Sequence, residues 1–239
     1  MIDEQVETLS VVIPVFNEAE AISDVIKSWA TCLDELGMVY TIHAYNDGST
    51  DKTLEILNEV STEVEFLDIH TSKNQGHGPT LLMGYNHSLS ETWIFQIDSD
   101  GELSPAYFSD LWSRREEYDF LIGRRSDRSQ PLSRKLISLV SRGVIHLFYG
   151  KGVWDVNSPF RLMRTSVMSP IIANIPANTF APNLIISGMV NLKKIKHFET
   201  LIPHQLRQTG EVSIKRFKLL LVSLKSFWQT IHFRLFSDI

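Results

Sequence analysis

Trp93-Ile94-Phe95-Gln96-Ile97 runs without a break into Asp98-Ser99-Asp100-Gly101. A short apolar run that ends in turn residues reads as a buried strand. Two carboxylates placed two residues apart at its end can face the same way and offer paired oxygen ligands to one cation. Mg²⁺ and Mn²⁺ favour such ligands, and Mg²⁺ usually completes its shell with substrate phosphates and water. Without a cation the two acids repel, and one has a raised pKa. The local alternative is an Asx turn whose side chains cap a helix beginning near Pro105. The neighbouring segments decide between the two.

Upstream, strand and helix patterns alternate through the first 125 residues. Leu9–Val15 is a β-rich run followed by Asn17, an expected N-cap with Glu20 three residues on, and a helix to about Leu36. Tyr40–Tyr45 reads as a second strand closed by Asn46-Asp47-Gly48-Ser49-Thr50, and a helix from Asp51 to about Val60 leads to a third strand, Val64–Ile69. Asn74-Gln75-Gly76-His77-Gly78 is a glycine-rich loop before a helix starting at Pro79. Such a loop lets backbone N–H groups approach an anion at a helix N-terminus, although its spacing matches neither a P-loop nor a dinucleotide fingerprint. His77 reads as a loop histidine rather than a catalyst. Phe120–Gly123 reads as a further strand.

Continuous apolar strands separated by helices predict a mostly parallel sheet covered on both faces. Ligands bind beyond the carboxyl ends of the strands in such sheets. Asn17 and Glu18 follow strand one, Asp47 follows strand two, and Asp98 and Asp100 follow strand four. All the candidate residues of this half therefore gather on one edge. Asp47 there can accept hydrogen bonds from a nucleobase N–H or a ribose hydroxyl, with plain turn duty as the alternative.

A chain of 239 residues with 43% hydrophobic and 21% charged content is an ordinary folded protein. Its formal net charge of −5 argues against nucleic acid as a partner. From Arg207 onward, however, six Lys/Arg face two Asp/Glu. The single cysteine, Cys32, excludes an internal disulfide, suits a reducing compartment, and reads as a core residue of a helix. The N-terminus has no signal-peptide pattern, and no apolar run is long enough to span a bilayer.

Four segments in this order resemble the family 2 glycosyltransferases with the GT-A fold: Val-Val-Ile-Pro-Val-Phe-Asn-Glu (11–18), Asn-Asp-Gly-Ser-Thr-Asp (46–51), Lys-Asn-Gln-Gly-His-Gly (73–78) and Gln-Ile-Asp-Ser-Asp-Gly (96–101). Pro159-Phe160-Arg161-Leu162-Met163-Arg164 is similar to that family's later Phe-Arg-Leu segment and adds Arg161 to the catalytic candidates. The resemblance covers residues 9 to 214. It implies that Asp98 and Asp100 bind Mg²⁺ or Mn²⁺, and that Glu18 and Asp47 contact the nucleoside of a UDP- or GDP-sugar. Through the same segments Pro14, Phe16, Asn74, Gly76, Gly78 and Ser99 join the donor-binding set. Asn46 departs from the aspartate usual in the family, which puts nucleoside recognition in question. The Gln-x-x-Arg-Trp motif of processive synthases is absent.

Transfer to a sugar hydroxyl needs a general base. Family members of that kind often carry acids near the start of a late helix, but the comparable stretch here, residues 177–183, contains none. A phosphate monoester acceptor, with its second pKa of about 6, is already largely ionised and needs cations instead. Arg124, Arg125, Arg128, Arg134 and Arg207 are the candidates. This combination, with Leu-Arg-Gln-Thr-Gly-Glu-Val-Ser at 206–213, resembles the dolichyl- and polyprenyl-phosphate sugar transferases. Asp155 is the base candidate in the competing reading, a soluble transferase acting on a glycan hydroxyl.

Two segments are amphipathic. In 131–149, Leu136, Val140, Val144 and Leu147 recur opposite Arg134, Lys135 and Arg142. In 213–236, Phe217, Leu220, Leu221, Leu224, Phe227, Trp228, Ile231 and Leu235 form an apolar face opposite Lys215, Lys218 and Lys225, suited to a membrane interface or an oligomer contact. The expectation is a GT-A domain over 1–212 with a basic amphipathic helix over 213–239. It would be an inverting, metal-dependent, non-processive enzyme at the cytoplasmic face of a membrane, with a lipid-phosphate acceptor and a possible homo-oligomeric state. A catalytically silent nucleotide- or membrane-binding scaffold and a nucleotidyltransferase are the rivals from other classes.

Overall fold

The computed structural model describes residues 6–126, 132–203 and 216–236; of residues 132–137 and 216–223 only the backbone is described. One seven-stranded sheet runs through the molecule in the order β3-β2-β1-β4-β6-β5-β7. Its strands are β1 (Thr8–Val15), β2 (Val39–Asp47), β3 (Leu67–Ser72), β4 (Trp93–Gln96), β5 (Phe120–Arg125), β6 (Arg161–Arg164) and β7 (His197–Ile202). The helices are α1 (Ile22–Glu35), α2 (Thr53–Val60), α3 (His77–His87), α4 (Phe108–Ser113), α5 (Leu132–Tyr149), α6 (Thr165–Ile172), α7 (Pro182–Leu192) and α8 (Arg216–Phe236).

β1 pairs in parallel with β2 and β4, β2 with β3, and β5 with β7. β6 alone runs antiparallel to both neighbours, β4 and β5. β4 and β5 therefore point the same way, and the carboxyl ends of β1, β2, β4 and β5 share one edge.

Alternation along β1 explains the two cores. Leu9, Val11, Ile13 and Val15 pack with α1, α2 and α4, whereas Val12 packs with α3 residues Leu81, Leu82 and Tyr85. A strand buried on both faces is mostly apolar, which is why the run lacks a polar alternation; its one buried hydroxyl inside the run, Ser10, bonds Ser88 Oγ at 2.6 Å. Trp29 of α1 centres the first core, with ring centroids 5.1 Å from Phe95 and 5.9 Å from Phe108. On the second face Gly84 of α3 rides so close to the sheet that a Cβ would stand 2.5 Å from Val12.

Several expected boundaries move. α1 starts at Ile22 without a side-chain cap, because Asn17 adopts a left-handed φ of 54° and its Oδ1 instead accepts from Thr50 N at 2.8 Å. β3 begins at Leu67, since turns hydrogen-bonded back to Val60 occupy Glu63 and Val64. α3 begins at His77, two residues before Pro79. β6 and β7 had no counterpart in the sequence reading.

α8 docks on α5 and α7. Tyr149 OH donates to Thr230 O at 2.6 Å, Phe180 N to Gln229 Oε1 at 2.9 Å, and Arg234 Nε to Phe148 O at 3.2 Å. Its buried face is Ser226, Thr230 and Phe233, with Phe227 partly buried beside them. Of the apolar face read from the sequence, Leu224, Trp228 and Leu235 are exposed, Trp228 by 66%, and so is the neighbouring Phe236. On α5, Ser141, Ile145 and Tyr149 are buried, while Val140 and Leu147 face outward. Among the described residues, no helix is long and apolar enough to cross a membrane.

Candidate donor and metal site

The carboxyl edge holds a cleft of about 370 Å³ lined by Pro14, Val15, Phe16 and Glu18 at and beyond the end of β1, Asp47 at the end of β2, and Asn74, Gly76, His77 and Thr80 around the start of α3. Asp98, Ser99 and Asp100 after β4, and Phe180 before α7, close it. Of the donor-binding residues expected from the sequence, all but Gly78 line this cleft. Gly78 lies beneath it: a Cβ there would sit 2.2 Å from Phe180 O and 2.3 Å from Thr179 O. It therefore serves by letting α3 and the 179–180 segment touch.

Hydrogen bonds stitch the loops of the cleft together. Asp47 accepts from Gln75 N and Gly76 N, one to each carboxylate oxygen, both at 2.8 Å. A carboxylate offers about four acceptor sites, so Asp47 can hold this loop and still receive a ligand N–H. Gly48 adopts a φ of 68°, and a Cβ there would stand 2.7 Å from Asn74 N. Glycine at this turn thus admits the loop that carries Asn74 and Gly76. Asn46, the departure from the family pattern, is buried and its Oδ1 accepts from Ser49 N, which closes the turn. Ser49 Oγ in turn accepts from Asn17 N, and Asp51 accepts from Ala19 N and Thr53 N. Burial works against the charge on Asp51, but these bonds and that from the Thr53 hydroxyl outweigh it and hold its pKa low.

Asp98 rests on a polar layer behind the cleft. Gln96 Nε2 donates to Asp98 Oδ1 at 3.4 Å, and Gln96 Oε1 accepts from Tyr85 OH at 2.7 Å and Asn183 Nδ2 at 2.9 Å. Asp100 Oδ1 accepts from Glu102 N at 3.1 Å, so the Asx turn weighed as an alternative forms at this residue within the cleft wall. A divalent cation suits the site by its donor chemistry: two carboxylates beside a cleft, one oriented by an amide from behind. Thr80 gives an independent sign of an absent polar partner. Its hydroxyl is fully buried in the cleft lining and has no hydrogen-bond partner.

The remaining candidates have other employment. Arg161 is completely buried and donates to the carbonyls of Ser158, Val156 and Asn183, at 2.6 Å for the shortest bond. Burial lowers its pKa to about 10. It does not line the cleft; it clamps the start of β6 to α7, with its charge felt at Asp98 and Asp155. Asp155 is not placed as a free base. Its two oxygens accept from Arg125 Nε at 2.9 Å and Nη2 at 3.0 Å, and from Arg125 N at 3.2 Å. Burial opposes its charge, but Arg125 outweighs it and holds the carboxyl below its usual range. The same pair occupies Arg125.

Arg124 stands at the carboxyl end of β5 with its guanidinium 4.5 Å from the centre of the Trp154 ring. Arg142 of α5 covers the same ring at 3.8 Å, so two cations converge on one partly exposed indole whose backbone N–H is taken by the Glu199 carboxylate. The sequence reading had not singled out Trp154, Thr80 or Phe180. Arg128 and Arg207 lie outside the described residues, and so does the side chain of Arg134.

The chain is 27% identical over 218 residues to the undecaprenyl-phosphate 4-deoxy-4-formamido-L-arabinose transferase of Edwardsiella ictaluri, covering 90% of this chain and 65% of that one. It is likewise 27% identical over 209 residues to the enzyme of that description from Salmonella typhimurium, covering 86% and 62%. The chain thus spans slightly less than two thirds of the length of these relatives. Among solved structures, glucosyl-3-phosphoglycerate synthase from Mycobacterium tuberculosis, in complex with Mn²⁺, uridine diphosphate and phosphoglyceric acid, superposes with a TM-score of 0.71 at 17% identity, covering 97% of this chain and 80% of that one. That likeness establishes the GT-A architecture anticipated from the sequence. The sequence model of glycosyl transferase family 2 matches residues 10–170, the span that builds β1 to β6 and all of the cleft lining but Phe180, and the chain belongs to that family.

Proposed function

We propose that the protein transfers a sugar, with inversion, from a UDP- or GDP-sugar to the phosphate of a polyprenyl-phosphate lipid at a membrane surface. The observation that carries this reading is the convergence of Glu18, Asp47, Asp98 and Asp100 on one cleft at the carboxyl edge of the sheet. Asp98 and Asp100 would hold Mg²⁺ or Mn²⁺, which when bound supplies positive charge to the departing diphosphate. Asp47, Asn74 and Gly76 border the nucleoside end, and Thr80 lies in the wall beside them. Gln96 keeps Asp98 in position from behind.

A phosphate acceptor fits three further features. The relatives' names specify undecaprenyl phosphate. Arg124 and Arg142 place two guanidinium groups beside Trp154 on the edge that carries Asp98. The carboxylate best placed by sequence to serve as a base, Asp155, is committed to Arg125. The exposed residues Leu224, Trp228 and Phe236 of α8, and Leu139 and Leu147 of α5, suit a lipid interface, where aromatic and aliphatic side chains bury against acyl chains.

Labelled UDP- and GDP-sugars, offered with polyprenyl phosphate in vesicles or with soluble glycans, test this reading. Metal-dependent label in the lipid is expected. Transfer to glycans alone would replace the acceptor, and nucleotide binding without transfer to either would favour a scaffold.

A further inference from the structure

A second cluster of metal-binding side chains stands away from the cleft, on the outer part of the sheet. β2 and β3 are parallel, with His43 opposite Asp68 and Tyr45 opposite His70. Positions two apart on a strand project from the same face, so this register gathers His43, Asp68 and His70 on one side. His43 Nδ1 lies 3.1 Å from His70 Nε2 and 3.7 Å from Asp68 Oδ2. Among the described residues, this is the group of three whose ligating atoms all fall within 4.8 Å of one another. In a tetrahedral zinc site, with bonds of about 2.0–2.2 Å, neighbouring ligand atoms stand roughly 3.3–3.5 Å apart. The two separations here bracket that edge.

The surroundings fix the ligands in place. The Tyr45 ring stacks on His70 with centroids 4.5 Å apart and planes 10° apart. Tyr45 OH lies 3.4 Å from His87 Nδ1, at the end of α3, and the rings of His70 and His87 are 5.6 Å apart. Burial, aided by the neighbouring imidazoles, holds His43 and His70 toward their neutral forms against the opposing pull of Asp68 and, at His43, of Glu91. Neutral imidazoles keep the lone pairs that a metal needs. A shared proton accounts for the 3.1 Å approach of the two rings but leaves the carboxylate facing the pair unexplained.

We propose that His43, Asp68 and His70 form a site for a divalent transition ion of the zinc type, with a fourth position open to water or to His87. Two imidazoles and one carboxylate favour Zn²⁺ over the oxygen-seeking Mg²⁺ and Mn²⁺ suited to the Asp98 and Asp100 pair. His43 precedes Asp47 by four residues of extended strand, about 13 Å, so the two sites are separate. The ion would clip β3 to β2 at the margin of the sheet, just before the loop that Asp47 holds at Gln75 and Gly76.

Untagged full-length protein stripped with EDTA and dialysed against Zn²⁺ should retain one more equivalent than Asp68→Asn or His70→Phe. Co²⁺ should give the intense visible absorption of a tetrahedral site in the wild type alone. The Asp68 side chain is 63% exposed, so Asp68→Asn should match the wild type in unfolding midpoint under EDTA while its Zn²⁺ affinity falls at least about tenfold. Asp98→Asn combined with Asp100→Asn should keep the zinc. Equal zinc content in wild type and both cluster variants, or Mn²⁺ displacing Zn²⁺ at equal concentration, would overturn the proposal.

Discussion

Arg125 holds Asp155 through both carboxylate oxygens, by Nε at 2.9 Å and Nη2 at 3.0 Å, and adds its own backbone N–H. The partners come from different parts of the chain, one from the end of β5 and one from the segment leading into β6. The pair therefore fastens the return of the chain to the sheet. Each side chain is mostly shielded from solvent. Removing one partner leaves the other charge shielded and uncompensated, which costs about 3 kcal/mol or more.

The first expectation concerns this pair. Arg125→Ala should lower the unfolding free energy by about 3 kcal/mol in urea melts. The folded-state pKa of Asp155 is depressed, so its contribution to stability is present above the unfolded carboxyl pKa of about 3.9 and is lost as pH falls through the folded value. Acid titration of the wild type should show that loss, and Asp155→Asn should flatten it. Asp155→Asn that folds but loses transfer by more than about 100-fold would return the residue to the role of base.

Removing either cleft carboxylate should disable the donor site without unfolding the protein. Asp98→Asn and Asp100→Asn are expected to lose metal-dependent transfer by more than about 100-fold, since loss of a partner behind a ligand alone costs 10–100-fold. Gln96→Glu, which exchanges the amide facing Asp98 for a carboxyl, should weaken Mn²⁺ affinity by the smaller factor. Calorimetric Mn²⁺ titration in the presence of nucleotide measures both.

Thr80→Val tests the unpartnered hydroxyl. The replacement keeps the shape and removes a buried group with no hydrogen bond, so the free protein should gain about 1 kcal/mol. The thermal shift produced by the nucleotide sugar should shrink at the same time. An unchanged shift would detach Thr80 from the donor.

Gly78→Ala places a carbon against two backbone carbonyls that cannot rotate away. Overpacking of this kind costs about 1–3 kcal/mol, and the displaced 179–180 segment takes Phe180 out of the cleft wall. Nucleotide-sugar affinity should fall together with the unfolding midpoint. Gly143, where a Cβ meets nothing within 4 Å, is the control that should tolerate alanine in the affinity measurement.

Trp228→Asp changes a residue 66% exposed and should leave stability within about 0.5 kcal/mol. Flotation with anionic vesicles should nevertheless fall sharply. Full retention on vesicles would remove α8 from the lipid interface.

The donor half was legible because its signals are local. An apolar run followed by acids, repeated after β1, β2 and β4, places Glu18, Asp47, Asp98 and Asp100 on one edge by topology alone. Gly78 was read as a ligand contact because its loop is glycine-rich; only the fold shows the carbonyls of Thr179 and Phe180 against it. The second half depends on distant pairings. β6 is four residues long and antiparallel, too short for a periodic signal, so Arg161 looked available when it is sealed inside. Nothing in the sequence joins Asp155 to Arg125, thirty positions apart. On α8 the apolar residues Leu224, Trp228 and Leu235 stay exposed, while the helix docks through Ser226, Thr230 and Phe233, a mostly polar strip that hydrophobic spacing does not mark.

The reversed direction of β6 has a consequence for how the cleft is assembled. Because β6 enters between β4 and β5 from the edge where both end, everything from Ser126 to Phe160 is a single excursion that leaves and rejoins the sheet on one side. Its return is bolted to the fold, since Tyr149, Val153 and Val156 fill the second core and Asp155 is tied to Arg125. One side of the cleft is thereby assembled from the first hundred residues, and the opposing side is threaded in by one continuous return of the chain.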